Sequence, residues 1–400
     1  MPDRVAVTCA LAGCEKTFIP RRSTQKFCAA QHAQAAANGR RHGSETPNSD
    51  VTQLGQRLLT SQRAAVAARR EVNEAKKRVE VLEEDLTRAH RELELYEHPR
   101  EDRPKWLRTP KDSKAHHGTL VAFLSDVHAG ETVRADEMSG YNAYDERITD
   151  MRLGRFFERT ILVARNYLAG VEYDGIVLAL GGDMVSGDIH DELEQTNWCS
   201  TYEACRWLAP RIAAGIEMLA DEFGSVHVVS APGNHGRDSK KPRSKRRSAH
   251  NADTHIAHLV GDKLGEEAGI TFDVPETYDV SFEVYGSRFT LEHGDNMRFN
   301  GTAEIGAIGP VKRGTLRKSR QLQNEGRPFD YSLVGHFHQY VPAYTQGFLM
   351  NGSLKGYDEY ARTGHFAPEP AQQALVVVTP EHGITVNAPI IVTKRSAEGW

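Results

Sequence analysis

The sequence predicts an α/β protein, with a layered α/β domain over residues 118–395 that follows a small cysteine-rich module and a long helix patterned as a coiled coil. Three observations lead there. Short apolar runs of strand character alternate with helical stretches through the C-terminal part of the chain, the order that layered α/β domains show. Three of the five cysteines, Cys9, Cys14 and Cys28, crowd the N-terminus. From Ala65 to Tyr96, apolar residues recur at alternating steps of three and four, which is the heptad signature.

Composition narrows the classes. With 400 residues and 39% hydrophobic content, the chain can bury one large core or several ordinary ones. No apolar run approaches the roughly 20 residues that span a bilayer, and the N-terminus lacks the layout of a secretory signal. A membrane-spanning protein is therefore not expected, and a cytoplasmic location is. The net charge of −4 divides unevenly: residues 1–115 carry 22 Lys/Arg against 16 Asp/Glu, and the remainder 28 against 38. An acidic C-terminal half with a mildly basic front fits an enzyme domain with a separate docking region. Cys199 and Cys205 lie far from the other cysteines in a helical stretch, which argues against a disulfide framework.

Residues 1–35 are expected to form the first unit. Cys9, Cys14, Cys28 and His32 read C-x4-C-x13-C-x3-H, two close pairs that can close a tetrahedral structural zinc site around a segment too short to bury a core. His42 is a reserve fourth ligand. Residues 36–51, rich in Gly, Ser, Asn and Arg, read as linker. The heptad seam over residues 52–97 runs through Ala65, Ala68, Val72, Ala75, Val79, Leu82, Leu86, Ala89, Leu93 and Tyr96. Its simplest partner is a second copy of the chain, and a solitary helix on the catalytic domain is the alternative. Pro99, Pro104 and Pro110 make residues 98–117 a stiff linker.

Within residues 118–395, five apolar strands each run into polar residues. Leu120–Leu124 precedes Asp126-x-His128, and Gly175–Leu180 precedes Gly181-Gly182-Asp183. Val226–Ser230 leads to Gly233-Asn234-His235, Arg288–Leu291 to His293, and Tyr331–Val334 to Gly335-His336-x-His338. Strand ends are where α/β proteins keep their chemistry. Asp, His and Asn supply oxygen and nitrogen ligands for divalent ions, and His235 is placed to donate a proton. One such cluster is unremarkable, since a capping Asp or a loop His explains it, but five are not.

Taken in order, these motifs resemble the motif set of the calcineurin-like metallophosphoesterases, over roughly residues 118–395. The resemblance implies a two-sheet sandwich flanked by helices. It also implies two metal ions, one on Asp126, His128, Asp183 and His338, the other on Asp183, Asn234, His293 and His336. The implied reaction is attack on phosphorus by a hydroxide held between the ions, with His235 as general acid. Ligands of this type suit Mn²⁺, with Fe, Zn or Mg as alternatives. No arginine follows Asp183 closely, unlike in the protein phosphatases of the superfamily. The loop Met184–His190 and the segment Asn351–Tyr360 are more similar to SbcD-type nucleases and phage-encoded phosphoesterases, which puts the protein in a host cytoplasm if it is phage-encoded.

The substrate expected is DNA. Asp188 and His190 are candidate substrate contacts, as are Arg237, Lys240 and Lys241 from a cluster of seven Lys/Arg in residues 237–247. A second cluster places five Lys/Arg in residues 312–320. Two alternatives stand beside this expectation: a phosphoesterase for a small nucleotide or other small ester, and a DNA-binding or structural phage component whose metal site is unused. The SbcD resemblance also raises an ATPase partner.

Overall fold

Two short strands, β1 (Val7–Thr8) and β2 (Thr17–Phe18), pair antiparallel and lead into helix α1 (Ala30–Gly39), followed by the 49-residue helix α2 (Ser49–Glu97). The structure is a computed structural model that describes residues 6–11, 13–20, 25–39, 49–97, 106, 116–265, 269–297 and 306–399. The chain divides into two compact units, Met1–Arg91 and Glu92–Trp400. Helices occupy both ends of the expected 36–51 linker; its middle, with His42, and most of the 98–117 linker lie outside the described residues. Along α2, Val72, Val79, Leu82 and Leu86 are each more than half exposed. The side chains of Ala89, Leu93 and Tyr96 are outside the described set.

The second unit is built on two sheets. The larger takes β3 (His117–Leu124), β4 (Glu172–Leu180), β5 (Val226–Ser230), β6 (Ile270–Asp273), β11 (Gln372–Thr379) and β12 (Gly383–Ile391) in the order β12-β11-β3-β4-β5-β6. Strands β3 to β6 are mutually parallel, and β11 and β12 close one edge antiparallel. The smaller sheet runs β10 (Phe348–Met350), β9 (Tyr331–Val334), β8 (Ser287–Glu292), β7 (Asp279–Val284). Helices α3 (Glu146–Leu162), α5 (Thr201–Phe223) and α6 (Ala252–Leu264) cover the large sheet, and α7 (Ile308–Asn324) packs beside the small one. Short helices α4 (Asp191–Thr196), α8 (Glu359–Thr363) and α9 (Arg395–Glu398) complete the set.

Alternation along the strands explains the layering, because successive side chains of a strand face opposite ways. On β3, Leu120, Ala122 and Leu124 enter the core under the helices, while Val121 and Phe123 face the small sheet. Strand β4 divides likewise, into Ile176, Leu178 and Leu180 against Val177 and Ala179. From the other side come Val280, Phe282, Phe289, Leu291, Leu333 and Leu349. A strand segment buried on both faces is near-continuously apolar, which is why Leu120–Leu124 of β3 and Ile176–Leu180 of β4 read as unbroken apolar runs. Helix α5 is fixed at both ends, by a Ser200/Glu203 capping box and by left-handed Gly224 (φ 73°).

Candidate metal centre

Because β3, β4 and β5 are parallel, the loops that leave them emerge along one edge of the large sheet, and β8 and β9 do the same in the small sheet. The two edges meet. Asp126 Oδ1 lies 3.3 Å from His338 Nε2, which is 3.2 Å from His128 Nε2. Asp183 Oδ2 lies 2.9 Å from His293 Nε2, itself 3.1 Å from Asn234 Oδ1. Two groups result, Asp126/His128/His338 and Asp183/His293/His336, the candidate ligand atoms of each within 4.8 Å of one another. Ligand atoms about 2.1 Å from one ion stand roughly 3 Å apart, so these spacings fit donors arranged around ions. All seven residues that the motifs pointed to are thus brought together.

The backbone is bent to reach this arrangement. Asp126, His128, Asp183, His336 and His338 all have positive φ, between 49° and 66°, a region that side-chain-bearing residues avoid unless the surroundings hold them there. The motif glycines allow the close approach. A Cβ on Gly233 would stand 2.2 Å from Asp183 Oδ1, and one on Gly335 2.7 Å from Asp126 Oδ2.

Hydrogen bonds orient the rings. His293 Nδ1 lies 2.8 Å from the Gly181 carbonyl, and His235 Nδ1 2.7 Å from the Ser186 carbonyl. Carbonyls only accept, so each Nδ1 carries the proton and each Nε2 is left for the site. Burial alone would push the Asp183 carboxyl up, but His293 and His235 beside it hold it well below the usual carboxylate range. Against the same burial, Asp183 carries His293 up to about 10. Burial pushes His336 down to about 4, and pushes His128 down with help from Lys355 and His235. Anionic Asp183 and neutral His128 and His336 have the ligand forms a divalent ion takes, and His293, carried up by Asp183, would have to release its Nε2 proton to join them.

Several supporting residues are not marked by any motif. Asp253, at the start of α6, accepts the backbone N–H groups of Asp183 (3.0 Å), Met184 (3.0 Å) and Gly233 (2.8 Å), tying two ligand loops together. Buried Lys355 reaches Glu131 (2.9 Å) and Asp358 (2.5 Å), and Glu131 Oε2 stands 3.4 Å from His128 Nδ1. Asn351 Nδ2 donates to Ser125 Oγ (2.9 Å) and Ser353 Oγ to the Asp126 carbonyl (3.1 Å). Only the likeness of segment 351–360 to phage proteins pointed this way, and nothing in the sequence singled out Asp253.

The expected substrate contacts divide. His190 lines a cavity of about 560 Å³ that opens from the metal-ligand residues, and its ring lies 5.7 Å from that of His235. Asp188 instead accepts a hydrogen bond from Thr201 (2.8 Å) at the start of α5. Arg237 donates to the carbonyls of Asn234, Ser239 and Lys240, so its guanidinium shapes its own loop. Lys240 pairs with Asp191. Asp188, Arg237 and Lys240 thus have partners within the chain, and Lys240, Lys241, Lys245 and Arg246 are all exposed. In the second basic cluster, Lys318 is buried against Asp279, Tyr278 and Glu292.

In the first unit, Cys9, Cys14, Cys28 and His32 converge as a four-ligand group. Cys14 Sγ and Cys28 Sγ are 3.8 Å apart, far beyond a disulfide and close to the roughly 3.8 Å between two thiolates on one tetrahedral zinc. His32 Nδ1 lies 3.2 Å from Cys28 Sγ and 3.7 Å from Cys9 Sγ. Burial opposes ionisation of Cys9, yet the backbone N–H groups of Cys28 and Leu11 draw its thiol down to about 6. Arg21 and Arg22 of the intervening turn lie outside the described residues.

Fold and site define a class: an α/β sandwich whose strand ends hold two adjoining sets of metal-ligand residues. No protein-family profile matches the chain, and no curated protein does. Among solved structures, Vps29 from Cryptosporidium parvum aligns at 14% identity and TM-score 0.28, covering 68% of this chain and 96% of that one. A dimetal phosphatase from Danio rerio aligns at 12% identity and TM-score 0.29, covering 69% and 99%. The sulfate thiohydrolase SoxB from Thermus thermophilus aligns at 11% identity and TM-score 0.29, covering 72% and 58%. At such scores, function is read from the site itself.

Proposed function

We propose that residues 118–395 form a two-metal phosphodiesterase of the calcineurin-like type, related to SbcD-type and phage enzymes, and that its substrate is DNA. The convergence of seven ligand residues from five strand ends into two adjoining groups carries this reading. Bound divalent ions, with Mn²⁺ the first choice for these donors, would supply a nucleophilic water and offset phosphoryl charge. The chain's own residues do the rest. Asp253 holds the backbone of Asp183 and of Gly233, the residue before Asn234, and Gly181 fixes His293. His235, its Nδ1–H fixed on Ser186, offers Nε2–H to the leaving oxygen when protonated.

Exposed Lys241, Lys245 and Arg246 lie in the loop that follows Asn234-His235 and favour a phosphate backbone over an uncharged partner. In the same reading, the cysteine module holds one structural zinc, and α2 pairs with a second copy of the chain. The test is cleavage of single- and double-stranded DNA with Mn²⁺, comparing the natural chain with Asp183→Ala. Cleavage that persists in the variant removes the site. The cavity of about 560 Å³ favours a second reading, hydrolysis of a small phosphoester. Salt separates the two, because small-substrate turnover survives moderate salt that weakens backbone docking.

A further inference from the structure

The cavity is lined by two chemically different groups of residues. One is the metal-ligand cluster, with Asp183, Asn234 and His336; the other is an aromatic wall of Tyr357, Tyr360 and Phe366. Tyr360 is 80% exposed and Phe366 37% exposed, and their rings lie 6.4 Å apart, tilted by 38°. Tyr360, on the outer side of this pair, contributes little to the core. Placed beside a phosphate-directed site, the two rings offer flat faces to whatever the phosphate is attached to.

The wall is also fixed in position relative to the cluster. Asp358 caps α8 by accepting the N–H of Ala361 (2.7 Å), and its other oxygen pairs with Lys355 (2.5 Å). Lys355 in turn holds Glu131 beside His128, and its own backbone lies against Asp126 (3.4 Å). The helix that carries Tyr360 is therefore tied to the first ligand loop by buried ion pairs. Tyr357, at the foot of the wall, stacks edge-on against Tyr141 at 5.6 Å.

Resting on the phosphodiesterase reading above, we infer that Tyr360 and Phe366 form a stacking shelf for a nucleobase, placed so that the phosphate attached to that nucleoside reaches the metal-ligand cluster. Bases of every type present a π-face, so the shelf accepts nucleotides without reading sequence. A base paired within a duplex cannot reach it. The substrate class is thus a free nucleotide ester or the unpaired end of a strand.

The test uses the full chain with Mn²⁺ and two esters that share a leaving group, thymidine 5′-(p-nitrophenyl phosphate) and methyl p-nitrophenyl phosphate. The ratio of their KM values measures what the nucleoside adds. In Tyr360→Ala/Phe366→Ala the preference for the thymidine ester should fall by about 5- to 100-fold, the range that base–aromatic stacking supplies, and Tyr360→Phe should restore it. A preference that persists in the double variant overturns the shelf. Quenching of 2-aminopurine fluorescence reads the stack without turnover. Strong quenching in a mononucleotide or a single strand supports the shelf, and tighter binding of the strand identifies DNA as the source of the base. Equal quenching in a duplex overturns it. If the natural chain hydrolyses neither ester but still quenches the probe, the phosphodiesterase reading fails while the shelf stands.

Discussion

Replacing Asp253 with asparagine tests whether the ligand loops are held from outside the metal centre. Asp253 Oδ2 accepts from Asp183 and Gly233, and Oδ1 from Met184. An amide keeps only one acceptor oxygen, so at best two of the three N–H groups stay paired, and the third faces an NH₂. A buried donor without an acceptor costs about 1–3 kcal/mol, and the two surviving bonds lose roughly half their strength with the charge. Together the change should destabilise the protein by about 2–4 kcal/mol. With the Asp183 and Asn234 loops less well held, Mn²⁺ affinity should fall about 10- to 100-fold, as it does when partners behind metal ligands are removed. Urea unfolding of the metal-free protein measures the first quantity, and calorimetric titration with Mn²⁺ below the unfolding range measures the second. Wild-type values for both would refute the reasoning. Lost stability with unchanged affinity would show that Asp253 holds the fold and not the ligands.

Three further perturbations address separate parts of the molecule. Burial pushes His227 down from 6.5 to about 4, so the unfolded chain binds the extra proton between those values and stability should rise with pH across them. The slope is at most about 1.4 kcal/mol per pH unit, roughly 3 kcal/mol in all. His227→Leu should flatten it, and an unchanged difference between urea midpoints at acidic and neutral pH would count against this. Leu82→Glu with Leu86→Glu on the exposed α2 seam should convert a dimer to a monomer in sedimentation velocity; a wild-type chain already monomeric at micromolar concentration would rule out self-pairing. Cys28→Ser should release one zinc per chain by elemental analysis, and equal zinc in both proteins would remove the structural site.

Local signals made much of the fold legible. Strands Val226–Ser230 and Tyr331–Val334 follow the bounds expected from their apolar runs. Helix α3 starts at Glu146 because Asp145 caps it by accepting the N–H of Ile148. The ligand residues were readable because each follows a buried strand within a few positions. Asp253 was not, since its role depends on a loop pairing across 70 residues that no local pattern encodes. Nor could composition distinguish Arg237 and Lys240, engaged within the chain, from exposed Lys241. A run of charges gives their number and not which of them are already paired.

The left-handed backbone at the candidate ligands bears on what the side chains there cost the fold. Alanine at position 336 would remove the imidazole and keep the unfavourable torsion, whereas glycine would release it. That release is worth about 1–2 kcal/mol, partly offset by the greater freedom glycine gives the unfolded chain. His336→Gly should therefore melt higher than His336→Ala. Positions such as this are ones that selection for folding alone would give to glycine, so the histidine there is kept at a cost in stability.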